Sequence, residues 1–313
     1  MFNNILITLA SRMLNALFSF GIIIITANQL GAEAVGTISL IILGISIVQI
    51  VNSFIGGGAL IYLVPRNETF QLLIPSYIWA LFTSIACSYL LKITNLIPAD
   101  YFSHLVFLSL LLSFATINLT IILGKEKIIL YNILSFLQIF ILLAVLCFLI
   151  LISHQKNVFS YIFALYISYG FIFLSSTFYC FKYLKGIHFN KMNIVIKTML
   201  KLGTYVQIAN VVQLFNYRLT YYFIEHFCSR SLLGIYSVGT QLSESAWLSG
   251  KSLAIVQYSK ISNTEDMEYA KKLTLLFCKI SFLATLATLI ILLIIPHSLF
   301  SFVFGKDLLI FLL

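Results

Sequence analysis

The sequence predicts an all-α protein: a polytopic membrane helix bundle of about nine to ten transmembrane helices. Three observations carry this. Hydrophobic residues make up 61% of the chain and charged residues only 9%, whereas a soluble domain devotes about 25% to charge because its surface must face water. The apolar residues come in runs close to the ~20 residues that cross a bilayer core. A short pattern also occurs twice. "EAVGTISLI" at 33–41 and "SLLGIYSVG" at 231–239 place Gly36 and Gly234, and three residues on Ser39 and Ser237, at matching positions 198 residues apart.

The spans fall at 5–29, 35–63, 72–91, 102–123, 129–152, 158–182, 202–226, 231–259 and 274–295, with a tenth beginning near 307. The first is apolar for too long, and lacks the small-residue site, to be a cleaved signal peptide. At about 100° per residue, its Thr8, Arg12, Asn15, Ser19 and Thr26 share one face. The second carries a stripe of Ser46, Gln49, Asn52, Ser53 and Gly56. It ends on Gly56, Gly57 and Gly58, which favour close packing over a kink and, without a following GK[ST], form no phosphate loop. Spans three to six complete a first bundle. The seventh gathers Gln207, Asn210, Arg218, Tyr221, Tyr222 and Glu225 on one face; the eighth gathers Gln241, Glu244, Ser245, Lys251 and Ser252, interrupted by Leu248. The ninth is apolar nearly all round and reads as lipid-facing.

The net charge of +9 is an orientation signal. With the N-terminus inside, inner loops carry Arg66, Lys125, Lys127, Lys182, Lys185, Lys191, Lys197, Lys201, Lys260, Lys271 and Lys272, and outer loops only Lys92, Lys156, Arg230 and Lys306. Basic residues retained on the cytoplasmic side set an N-inside topology, and no nucleic-acid partner is implied. The five cysteines are scattered with no CxxC or Cys/His spacing, and the five histidines form no HExxH. Neither a metal nor a cofactor is expected.

Domain organisation follows from the repeated pattern. An N-terminal six-helix lobe (1–182) is joined by a basic cytoplasmic linker (183–201) to a C-terminal lobe (202–313). Six is an even number, so both lobes enter the membrane from the same side, as parallel repeats about an axis along the membrane normal. A cavity between such lobes is where a transported substrate sits. The polar faces lie on the first two helices of each lobe, and buried charge at mid-span costs about 2.5–3.5 kcal/mol on insertion scales. Arg12, Arg218 and Lys251 are therefore the candidate cavity cations, suited to an anionic substrate. Asn15, Gln49, Asn52, Gln207, Asn210 and Gln241 are the candidate polar lining. Glu244 is the candidate gating or structural ion-pair member, its partner either Lys251 or a residue on a neighbouring helix.

The order of "LGAEAVGTISL", "YLVPR", "LGKEKIILYN" and "LLGIYSVGTQLSESAW" resembles the polysaccharide flippases of the multidrug/oligosaccharidyl-lipid/polysaccharide exporter superfamily, most nearly the O-antigen and capsule repeat-unit flippases. The resemblance runs over nearly the whole chain. It implies two six-helix lobes, a central cationic cavity, and movement of undecaprenyl-diphosphate-linked oligosaccharides from the cytoplasmic to the outer leaflet of the bacterial inner membrane, without enzymatic chemistry. The partners it implies are the lipid-linked oligosaccharide, membrane lipid, and the polysaccharide polymerase and chain-length machinery. Relatives carry cavity-lining cations on the first helix of each lobe, and Arg12 and Arg218 occupy such places; Lys251 rests on its helix face alone. Two other readings stay open: a drug or small-cation antiporter of the same superfamily, and a polytopic membrane glycan polymerase or acyltransferase. The first favours acids in the cavity; the second needs a sizeable outer loop or a clustered catalytic constellation. The 313 residues are fewer than two such lobes require, and the chain stops within the apolar run "DLLIFLL", so the second repeat is expected to be incomplete.

Overall fold

The computed structural model describes residues 2–184, 192–245 and 266–294. Among them every regular element is a helix. The first, α1 (Phe2–Leu30), turns into α2 (Ala32–Gly56) through the single residue Gly31, whose left-handed φ of 81° is open to glycine at no steric cost. There follow α3 (Ala59–Leu63), α4 (Thr69–Ile93), a 3₁₀ turn at Ala99–Tyr101, α5 (Phe102–Gly124), and α6 (Ile128–Cys147), which widens into a π turn at Phe148–Ile152. Then come α7 (Val158–Phe181), α8 (Met192–Phe227), α9 (Arg230–Ser245) and α10 (Met267–Ile294). Seven segments are long and apolar enough to cross a membrane: α1, α2 with α3, α4, α5, α6 with its π turn, α7 and α10. The chain is thus an all-helical, multi-pass membrane protein. The expected seventh span, α8, is not among the seven; the expected eighth, 231–259, begins in α9 and runs on beyond the described residues. The expected tenth span, beginning near 307, lies outside the described residues.

Two boundaries differ from the sequence reading. The helix α8 begins at Met192, not near 202, so the second part of the expected 183–201 linker is helical. That extension is held by packing: Val195 and Met199 are buried in a cluster with Ile55, Leu60, Leu72, Leu134 and Cys180. The triple glycine both breaks the helix and permits packing. The α-helix stops at Gly56 and resumes at Ala59. A side chain at Gly56 would press on Ile117, and one at Gly57 would meet the Gln207 amide.

The first six spans run up and down, and their core divides into two layers. One unites residues from the end of α2, α3, the start of α4, the end of α5 and the start of α6. The other unites the start of α2, the end of α4, the start of α5, the end of α6 and the start of α7, around Ile41, Leu105, Ile150 and Ile162. Arg66, Lys125, Lys127 and Lys182 accordingly sit at the same end of the bundle, beside the first layer.

Several polar groups inside the bundle are paired with one another, as an apolar solvent favours. Tyr77 donates to Asn118 Oδ1 at 2.7 Å. Asn118 Nδ2 donates to Thr177 Oγ1 at 2.8 Å and to Ser176 Oγ at 3.3 Å. The Gln49 amide donates to Ser113 Oγ at 2.9 Å and accepts from Thr116 at 3.3 Å. Each such bond is worth about 0.6 kcal/mol in a membrane bundle. Among the described residues, α10 leaves Phe282, Leu283, Leu289 and Ile290 exposed.

The most extensive helix–helix contact pairs α2 with α9, and here the repeated pattern meets itself. A methyl on Gly36 would overlap the Arg230 carbonyl oxygen; a methyl on Gly234 would overlap the Ala32 carbonyl oxygen. Ser39 Oγ donates to Ser237 Oγ at 2.8 Å, a contact between residues 198 apart. Under that same offset Ala32 maps to Arg230 and Gly36 to Gly234, so the contact is reciprocal, like the isologous surface of a two-fold dimer. Small residues let the two backbones approach closely, as helices in lipid do when they associate. At the other end of α2, Gly203 of α8 lies so close that an added methyl would overlap the Phe54 carbonyl.

Candidate functional site

Between these two contacts lies a cavity of about 330 Å³. One wall is Ser19, Ile22, Ile23 and Thr26 of α1 with Val35, Ile38, Ser39, Ile42, Leu43 and Ser46 of α2. The opposite wall is Arg218 and Tyr221 of α8 with Val238, Gln241 and Glu244 of α9. Ile139 and Leu142 of α6 and Tyr161 of α7 close it on the first bundle's side. Arg218 lies ~14 Å along α8 from the helix end at Phe227, at ~1.5 Å per residue.

Arg218 and Glu244 form the ion pair there. Arg218 Nη2 lies 2.9 Å from Glu244 Oε1 and donates to Oε2 at 3.0 Å. Both carboxylate oxygens therefore share one guanidinium nitrogen, not the fork of two that gives the strongest pairing. The second terminal nitrogen, Nη1, donates to Tyr221 Oη at 2.6 Å. Tyr221 Oη is 2.7 Å from Thr240 Oγ1, and Thr240 gives its proton to the Ser237 carbonyl at 2.9 Å. Thr240's single proton is committed, so Tyr221 is the donor in their shared bond. A continuous chain of hydrogen bonds thus links Arg218 to the serine that meets Ser39. The side chains of Arg218 and Glu244 are 26% and 29% exposed, so water reaches the pair and screens part of its attraction.

The remaining expected site residues distribute unevenly. Gln241 lines the cavity with Arg218 and Glu244. Arg12 lies in α1, its side chain outside the described residues, and Lys251 lies outside them altogether. Under the 198-residue offset of the serine pair, Arg12 corresponds to Asn210, and Arg218 to Phe20. The two arginines are therefore on corresponding helices but at different depths. Gln49 turns into the first bundle, where its amide is taken up by Ser113 and Thr116. Asn52 is 1% exposed, its Oδ1 without a partner, beside Ile117 and Gly56 rather than on the cavity wall. Gln207 is buried and accepts from Asn210 Nδ2 at 2.8 Å, while Asn210 itself is exposed. Asn15 is half-buried with an unpartnered Oδ1. None of these five lines the cavity.

Glu244 takes the neighbouring-helix partner of the two that the sequence left open. Sequence reasoning missed Thr240, which lies off the polar face that includes Gln241 and Glu244. It also missed Ile139, Leu142 and Tyr161, for which no signal exists, since apolar residues on α6 and α7 look alike whether they face lipid or a cavity. His104, to which no role was assigned, bonds through Nδ1 to Tyr166 Oη at 3.1 Å beside a smaller pocket of about 280 Å³ near the start of α5 and α7. Among the described residues no group of His, Cys, Asp or Glu is placed to hold a metal ion. Compared with protein-family models, with curated proteins and with solved structures, the chain gives no match.

Proposed function

We propose that the chain is a flippase that carries undecaprenyl-diphosphate-linked oligosaccharides from the cytoplasmic to the outer leaflet of a bacterial inner membrane. The observation that carries this reading is a half-buried arginine, Arg218, in a cavity between two sets of helices. A guanidinium is the side chain best suited to a diphosphate. The cavity acts by alternating access. Residues 1–182 form one lobe, α8 opens the second in the same membrane direction, and the α2–α9 contact closes the outer end. The reciprocity of Gly36 with Gly234 and of Ser39 with Ser237 supports two parallel repeats related by an axis along the membrane normal. The gathering of Arg66, Lys125, Lys127 and Lys182 at one end supports an N-inside orientation. Glycan is bound and moved, with no bond made or broken. Arg12 and Lys251 add positive charge to the path, and the polysaccharide polymerase and chain-length machinery take up the product outside.

The test is genetic and chemical. Removing the gene from its host should cause lipid-linked oligosaccharide to accumulate on the inner leaflet. The chain should restore export to a strain lacking its own flippase, and Arg218→Ala should fail to do so at normal membrane abundance. Unchanged glycan distribution in the deletion strain overturns the reading. The cavity carboxylate of Glu244 favours one second reading, a drug or small-cation antiporter. That reading expects the deletion strain to become drug-sensitive while its surface glycan stays intact.

A further inference from the structure

The two cavity walls occupy equivalent places in the chain and differ in chemistry. Under the 198-residue offset that relates Ser39 to Ser237, Arg218 corresponds to Phe20, Tyr221 to Ile23 and Glu244 to Ser46. Among the described lining residues charge thus stands on the α8–α9 side, facing an uncharged α1–α2 wall in which Ile22, Ile23, Ile38, Ile42 and Leu43 stand among serine and threonine hydroxyls. Among the described lining residues, Arg218 and Glu244 are the only charged groups. The carboxylate of Glu244 stands where an anionic ligand of Arg218 would stand. Its hold is incomplete: both oxygens share Nη2, and Nη1 is turned to the neutral Tyr221 hydroxyl. A phosphate group with three oxygens is able to span both terminal nitrogens, which a carboxylate bound through one nitrogen does not.

We infer that Glu244 is a resident counter-anion, a carboxylate that fills the anion subsite on Arg218 until the phosphate of an amphiphilic ligand displaces it. The apolar side chains of the opposite wall, Ile22, Ile23, Ile38, Ile42 and Leu43, then take the ligand's chain. Glu244 so sets a threshold. Small inorganic anions, gaining nothing from these apolar side chains, do not outcompete it, and an anion carrying an apolar chain does. A phosphate that also reaches Nη1 engages the nitrogen from which the Tyr221–Thr240 hydrogen bonds run to Ser237. This inference deepens the flippase reading and rests on its premise that the cavity takes an anionic headgroup.

The experiment measures binding to the full chain in lipid nanodiscs, with inorganic phosphate and dodecyl phosphate as probes at fixed ionic strength. Specific binding is the part that Arg218→Gln removes. Wild type should bind dodecyl phosphate and show no measurable affinity for inorganic phosphate. Glu244→Gln, which keeps the shape and removes the charge, should tighten dodecyl phosphate at least tenfold and bring inorganic phosphate into the measurable range. Glu244→Asp, which keeps the charge and withdraws it by one methylene, should fall between the two and serves if the glutamine variant fails to insert. Equal affinities of wild type and both Glu244 variants overturn the inference, and so does a gain that survives Arg218→Gln. Equal affinity of wild type for the two probes assigns the subsite to a free anion and overturns the amphiphile. Failure of the flippase reading looks different: these binding results stand, yet the chain does not restore glycan export.

Discussion

Replacing Gly36 by alanine tests the α2–α9 contact with a magnitude that the structure supplies. The new methyl would overlap the Arg230 carbonyl oxygen and approach Gly234 N to 3.2 Å. Restoring an ordinary van der Waals separation requires the helices to part by about 1 Å. That shift lengthens the Ser39–Ser237 hydrogen bond from 2.8 Å past the distance at which such a bond holds. Overpacking costs about 1–3 kcal/mol, and an interhelical hydrogen bond in a membrane bundle contributes about 0.6 and at most about 1.7 kcal/mol. Against these stands the better helix propensity of alanine, about 1 kcal/mol in its favour. The net expectation for Gly36→Ala is a loss of about 1–3 kcal/mol, and for the reciprocal Gly234→Ala the same. One separation accommodates both methyls, so the double variant should cost at least ~1 kcal/mol less than the sum of the singles, the mark of residues in one contact. Gly239 on the same α9 has nothing within 4 Å, and its alanine variant should be neutral or gain up to ~1 kcal/mol. The assay is reversible SDS unfolding in bicelles, followed by helical circular dichroism. Wild-type stability in either single variant, or strict additivity in the double, would refute the reciprocal packing.

Three further outcomes are expected. In a chain stripped of its native cysteines, Ser39→Cys with Ser237→Cys should cross-link on mild oxidation, stop glycan export, and recover on reduction; full export with the cross-link in place removes the α2–α9 contact as the outer closure. Cysteines at the exposed loop positions Glu126 and His154 should differ in whole cells, with an impermeant reagent reaching 154 and missing 126; labelling at 126 in sealed cells reverses the orientation. Asn118→Leu leaves the Tyr77 hydroxyl and the Thr177 and Ser176 oxygens without their shared partner and should cost about 1–3 kcal/mol for the stranded buried groups; unfolding at the wild-type midpoint contradicts the network.

The helices themselves were legible before any coordinates. The first span, expected at 5–29, is α1 at Phe2–Leu30; the expected 102–123 is α5 at Phe102–Gly124; the expected 274–295 falls on α10 at Met267–Ile294, with its last residue outside the described ones. The start of α8 was not legible. Its first turns carry Lys197 and Lys201 on one side, and only the burial of Val195 and Met199 against the first bundle makes a continuous helix of them. Polar stripes were legible as stripes, without their destinations. Ser46 and Gln49 share a stripe of α2, yet Ser46 lines the cavity and Gln49 turns to α5. Likewise Gln241 and Glu244 reach the cavity, while Gln207 and Asn210 close on each other.

What the sequence by itself determines here is everything that one segment decides alone. Transfer from water to hydrocarbon is close to a sum over residues, so composition and run length establish an all-helical, membrane-crossing chain, and the repeated glycine and serine positions are visible as a pattern. A helical period gives the angle at which a side chain leaves its axis and is silent about which helix stands in that direction. Only the tertiary structure brings Gly36 against Gly234, gives Glu244 the guanidinium of Arg218, and sets an uncharged wall opposite a charged one. Those outcomes depend on pairs of surfaces far apart in the chain, whose energy exists only once both are folded and in contact.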